Sequence, residues 1–122
     1  MHDRQIPRAE WLNFFRDFSH RHEDSIVTVR VLNERYGSQV EAYDLPLEGI
    51  VASPGMDDPI SIYVGRTPQQ HIEHEVRRPR QVWLEMSDEG AEEALDIESE
   101  DGTKTLVLFR PETVDDVLRR AS

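Results

Sequence analysis

The chain has 122 residues, with 25 acidic against 14 basic side chains for a formal net charge of −11, and 37% hydrophobic residues. That length suits one compact domain, 1–122, whose interior is large enough to stand without disulfides or a structural metal. The absence of cysteine excludes disulfides, thiol catalysis and cysteine-ligated zinc. No apolar run approaches the roughly 20 residues that a membrane-spanning helix needs. No apolar segment follows a basic start, as it would in a secretory signal, so a cytoplasmic protein is expected.

The first expected element is a helix. Pro7 suits an opening helical turn, where its missing N–H costs nothing. Trp11, Leu12, Phe14, Phe15 and Phe18 then recur at spacings of three and four, an apolar stripe that has to cover something. The stripe fades at Ser19-His20-Arg21-His22. From Ile26 the period drops to two: Val27, Val29 and Val31 alternate with Thr28 and Arg30, as in a strand. Asn33 to Ser38 reads as a turn. Gln39 to Leu45 alternates again until Pro46, and Leu47 to Ala52 can continue in the same direction after a bend. Ser53 to Asp58 is a loop by composition. Ile60, Ile62 and Val64 share one face of a further strand, with Ser61 and Tyr63 on the other, and Gly65 ends it.

The segment Thr67–Arg78 supports two readings. Thr67-Pro68-Gln69-Gln70 fits a helical capping box, yet Ile72, His74 and Val76 alternate with His71, Glu73 and Glu75 as in a strand. Two apolar residues make a poor helix face, which favours the strand. After Pro79, Val82, Leu84 and Met86 form another strand with Trp83 on its opposite side. A turn around Gly90 leads to Leu95 and Ile97. Asp101-Gly102 then marks a hairpin, because those residues tolerate the positive φ it requires, and Thr105–Phe109 returns apolar on both sides. Beyond Pro111, Val114, Val117 and Leu118 sit at helical spacing. Acids come early and arginines late in that stretch, matching a helix dipole.

The expected architecture is therefore mainly β (α+β). It is an antiparallel, bent sheet of six to seven strands or a small barrel, with an N-terminal helix packed on it and a short C-terminal helix. The connections are too short for parallel crossovers. Tyr63, Trp83, Ile26 and one side of Thr105–Phe109 are apolar where solvent is expected. Either the aromatic helix covers them or a second copy does, in a homodimer.

Chemistry has few footholds. His71, Glu73 and His74 could serve a metal-dependent binder or hydrolase, but only on a helix. In a strand, positions three apart lie about 10 Å apart and face opposite ways, whereas two ligands on one zinc each sit about 2.0–2.1 Å from it. No nucleophile elbow, no catalytic triad and no phosphate-cradling glycine loop is present, so the balance is against an enzyme and no cofactor is expected. Arg77, Arg78 and Arg80 beside Trp83 could contact RNA in the manner of an Sm-like barrel, but the surplus of acids argues against nucleic acid. The same arginines precede a stretch, Gln81–Thr103, with nine acids and no base; one copy's basic patch could meet another's acidic one. Trp83, Tyr63, Arg77, Arg78 and Arg80 are thus the candidate interaction residues, for a second copy or another protein partner.

The landmarks Ile6-Pro7-Arg8-Ala9-Glu10-Trp11, Val27-Thr28-Val29 and Leu45-Pro46-Leu47-Glu48-Gly49-Ile50 resemble a family of small bacterial proteins of unknown function. Ile60-Ser61-Ile62, Thr67-Pro68, His71, His74 and Glu98-Ser99-Glu100-Asp101-Gly102-Thr103 extend the resemblance over nearly the whole chain. The resemblance implies no activity, cofactor or catalytic residue. A non-catalytic interaction module that self-associates is the expected function.

Overall fold

The computed structural model describes residues 2–111. It contains strands β1 (His2–Ile6), β2 (Ile26–Asn33), β3 (Gly37–Ala52), β4 (Ile60–Thr67), β5 (Gln70–Val76), β6 (Pro79–Met86), β7 (Glu92–Ser99) and β8 (Lys104–Phe109). One 3-10 turn, Arg8–Glu10, leads into the single described helix, α1 (Trp11–Arg21). All pairings are antiparallel, in the order β1-β6-β7-β8-β2-β3-β4-β5. The mainly β architecture with an N-terminal helix is as expected. The sheet, however, has eight strands rather than six or seven, and it is open rather than closed into a barrel. The helix expected around Val114, Val117 and Leu118 lies outside the described residues.

The additional strand is β1. Its sequence, His-Asp-Arg-Gln-Ile, has one apolar residue and no alternation to read. It is a strand because it pairs with the edge of β6, from His2 opposite Met86 to Ile6 opposite Val82. β3 is one long strand rather than two, and it changes partner near Pro46. Up to Pro46 it pairs with β2; from Leu47 it pairs with β4. Asp44 takes a positive φ of 48° just before the change. Leu47 then exchanges backbone hydrogen bonds with the approach to β2, its N–H donating to Ser25 O at 2.8 Å and its carbonyl accepting from Asp24 N at 2.8 Å.

That change bends the sheet around its core. A flat sheet of eight strands at 4.7–4.9 Å spacing would hold its end strands more than about 30 Å apart. Here Ile6 of β1 and Val76 of β5, from opposite ends, belong to one core with Val27, Leu47, Ile62, Leu84, Ile97 and Val107. α1 fills the hollow with Trp11, Phe15 and Phe18, all buried. Burying a side chain of this size contributes about 1.5–3 kcal/mol. The indole N–H of Trp11 donates to Ile6 O at 2.9 Å, fixing the start of the helix against β1. Near its end, Ser19 Oγ accepts from Ile50 N at 2.8 Å and donates to Ile50 O at 3.1 Å.

The helix therefore covers the inner face of the sheet, not the outward Tyr63, Trp83, Ile26 and Leu106. The expectation that it shields those residues fails for a geometric reason. Alternation gives the sheet two apolar faces, and α1 can occupy only one of them.

Segment 67–78 resolves as a strand following a tight turn. Thr67 Oγ1 accepts from Gln70 N at 3.1 Å, so the apparent capping box caps a turn instead. Gly65, at φ +153°, lets the returning backbone approach so closely that a Cβ would sit 2.2 Å from Gln70 O.

Candidate interaction surface

The outer face of β1, β6, β7, β8, β2 and the first half of β3 is built by register. Directly opposed residues form one row across the strands: Gln5, Trp83, Asp96, Leu106, Arg30 and Val40. A neighbouring row runs Asp3, Glu85, Ala94, Leu108 and Thr28. Another runs Gln81, Glu98, Lys104, Leu32 and Ser38. No described helix lies on this face. Trp83, Leu106 and Leu108 are half-buried, Ala94 is buried, and Val40 is 48% exposed.

The polar groups of the central row are under-satisfied. Among the described residues, the buried side-chain polar atoms without a hydrogen-bond partner are Arg30 Nε and Asp96 Oδ1. They flank Leu106 on its two sides. Such groups are costly when left alone, since a buried unpaired polar atom forfeits about 1–3 kcal/mol of desolvation. Burial pushes the Asp96 carboxyl above its ordinary value; Lys104 opposes this, while Glu98 and Asp3 add to it. Glu85 is also raised, first by burial and then by Asp3, Asp96 and Glu93, against Lys104.

The residues singled out from the sequence divide among several places. Trp83 lies in the central row, its indole N–H reaching Gln81 Oε1 at 3.4 Å. Tyr63 is on β4, past the bend, where its hydroxyl donates to Glu73 Oε2 at 3.4 Å and its ring lies 6.1 Å from that of His71. The arginines are each held by a carboxylate of this chain: Arg77 by Glu75 at 3.0 Å, Arg78 by Asp57 at 3.2 Å, and Arg80 by Glu98. Arg80 thus reaches Glu98 in the row next to that of Trp83, while Arg77 and Arg78 pair at the connection between β5 and β6.

β5 sends His71 to the outer face, where its Nδ1 lies 2.9 Å from Glu48 Oε1, and His74 inward beside Ile72 and Val76. The helix on which the pair could share a metal is replaced by this strand. Among the described residues no three His, Asp or Glu side chains come together in a group that could hold an ion. An open depression beside His71, lined by Glu48, Arg66, Thr67 and Pro68, carries no built nucleophile. Its Thr67 hydroxyl accepts from the β4–β5 turn.

Arg30, Asp96, Leu106 and Val40 were not singled out by the sequence. Arg30 and Asp96 read there as the polar members of two alternating strands far apart in the chain. Only the pairing of β7 and β2 on either side of β8 brings them into one row. The one available signal was the double-sided apolar character of Thr105–Phe109.

A second polar cluster ties α1 to β7. His22 lies between the rings of Phe18 and Phe109, with centroids 4.5 and 4.4 Å away. Its Nε2 sits 2.6 Å from Glu92 Oε1, and Arg21 Nη2 is 3.0 Å from Glu92 Oε2. Burial would raise the Glu92 carboxyl, but hydrogen bonds from His22 and Arg21 outweigh it and hold it below its ordinary value.

Among the described residues no helix is long and apolar enough to cross a membrane. No solved structure matches the chain. An uncharacterised protein of Aquifex aeolicus (strain VF5) is 26% identical over 111 residues, covering 91% of this chain and 95% of its own length. The match to a family takes in both end strands of the sheet, the helix and every row of the outer face: over residues 2–117 the chain belongs to the family of unknown function DUF5335.

Proposed function

We propose that this chain is a non-catalytic interaction module that associates with itself through the outer face of β6, β7, β8, β2 and β3. The observation that carries this reading is the central row of that face. It sets Trp83, Leu106 and Val40 around two buried polar atoms, on Arg30 and Asp96, that have no partner within the described chain. Both atoms are already closed to water, so a partner on this face pairs with what remains exposed of the half-buried Arg30 and Asp96 side chains and covers the apolar residues around them. The same reading takes the cytoplasm as its compartment.

Sedimentation velocity from low to high micromolar concentration, at low and moderate salt, tests it. The expected result is a monomer–dimer equilibrium in which the Trp83 emission shifts to the blue on association; Trp11 is already buried and contributes a constant background. A monomer at every concentration and salt overturns the reading.

A further inference from the structure

We infer that the partner is a second copy related by a two-fold axis lying along β8, so that Asp96 of each copy meets Arg30 of the other across the interface. The inference rests on the self-association proposed above and specifies its geometry. It follows from the order of residues in the central row, Trp83-Asp96-Leu106-Arg30-Val40, which steps strand by strand across β6, β7, β8, β2 and β3. At 4.7–4.9 Å per strand, Asp96 and Arg30 stand about 10 Å apart with Leu106 midway.

An isologous interface must be complementary to itself: if residue i touches residue j of the partner, j touches i. Two sheets packed face to face with their strands aligned are related by a two-fold axis along the strands or across them. An axis along β8 reverses the row. It lays Leu106 on the partner's Leu106, Trp83 on the partner's Val40, and Asp96 on the partner's Arg30, twice. An axis across the strands keeps the order and stacks Asp96 on Asp96 and Arg30 on Arg30, two like-charge meetings at the centre of the contact. Charge therefore selects the first arrangement. It also brings what remains exposed of the half-buried Asp96 and Arg30 side chains against a group of opposite charge.

The adjoining rows are consistent with this at the centre and place their mismatches outward. Ala94 meets the partner's Thr28, and Leu108 meets its own copy. Lys104, at the start of β8, faces the partner's Lys104 with Glu98 beside it on the neighbouring strand. Glu85 approaches the partner's Asp44, which lies beside Thr28 in the bulge of β3. The Glu85–Asp44 meeting falls at the rim, and the Lys104 meeting at the exposed start of β8, where water screens them.

Charge reversal tests the pairing of positions 96 and 30, and cross-linking tests the axis. Asp96→Arg and Arg30→Asp should each weaken association at least tenfold. A mixture of the two variants should form a heterodimer of near wild-type strength, because each of the two contacts between positions 96 and 30 then pairs an arginine with an aspartate. The double variant should dimerise again with itself. Circular dichroism melts check that each variant folds. Leu106→Cys and Val40→Cys, in a chain without other cysteines, tell the two axes apart whether or not a reversed variant folds, because an axis across the strands brings both positions onto their own copies. A short bismaleimide should join two copies through position 106, which lies on the axis, and not through position 40, which lies two strands from it. A wild-type dimer whose mixed variants stay apart overturns the contact between positions 96 and 30, and one that cross-links through position 40 overturns the axis; either result leaves self-association intact. A wild-type monomer at all concentrations overturns both. A monomer whose Trp83 becomes accessible only on removal of residues 112–122 assigns this face to the chain's own last segment and likewise overturns the inference.

Discussion

The carboxyl of Glu92 holds the end of α1 to the sheet, and its titration should be visible in the stability of the protein. His22 and Arg21 keep its folded pKa below the ordinary value of 4.5. A carboxylate lowered by folding contributes stability that is complete above its unfolded pKa and is lost as pH falls through the folded value. Glu92→Gln should therefore cost about 1–2 kcal/mol near pH 7, seen as a melting temperature lower by about 4–8 °C. The difference from wild type should shrink steadily below pH 4.5. Asp96 carries the opposite sign. Its folded pKa is raised, by burial first, above the ordinary value of 3.8, so its ionisation weighs against the fold as pH rises through that range. Asp96→Asn should accordingly raise the melting temperature of the dilute protein at pH 7 while weakening its association. A residue kept only for the fold would not separate the two measurements. Neither role was legible in the sequence. Asp96 and Glu92 are two of nine acids in a stretch without bases, and nothing in that run marks which one reaches a helix end and which pairs across from Trp83.

The elements themselves were largely readable, because burial imposes period two on strands and wider spacing on the helix. Phe15 and Phe18 are fully buried as their stripe implied, and replacing either with alanine should cost about 3–5 kcal/mol in a denaturant titration. What stayed hidden was long-range. β1 has one apolar residue, so its strand character exists only in the hydrogen bonds it makes to β6. The side of the sheet that α1 takes was equally hidden, since Val27 and Val107 on one face are no greasier than Leu106 and Leu108 on the other. Gly65 was visible only as the end of a strand. The backbone approach it permits means that Gly65→Ala has to push the β4–β5 turn outward. That change should cost about 1–3 kcal/mol and loosen β5 before the rest of the sheet, as read by amide exchange.

The whole molecule carries a net charge of −11, so two copies repel one another at a distance while the centre of their proposed contact attracts. Repulsion between exposed charges is screened over a Debye length of about 8–10 Å, and pairs removed from water are screened much less. Moderate salt should therefore strengthen self-association rather than weaken it, and the sedimentation series should show a larger dimer fraction at about 0.15 M salt than at 0.01 M. Had the arginines of Arg77–Arg80 joined one copy to the acidic face of another, salt would act the other way. Arg77, Arg78 and Arg80 are already neutralised within the chain.

The first strand has a consequence for how the protein is handled. Residues 2–6 hold their place by a single ladder, along the edge of β6, by the buried side chain of Ile6 and by the carbonyl that Ile6 offers to Trp11. Trimming them, or straining them with a bulky fusion, would leave a row of backbone donors and acceptors open along β6. The nearest strand able to satisfy that row is the one a neighbouring molecule has also lost its hold on, so an N-terminal tag is the change most apt to produce reciprocal exchange of arms and, from it, chains of linked molecules.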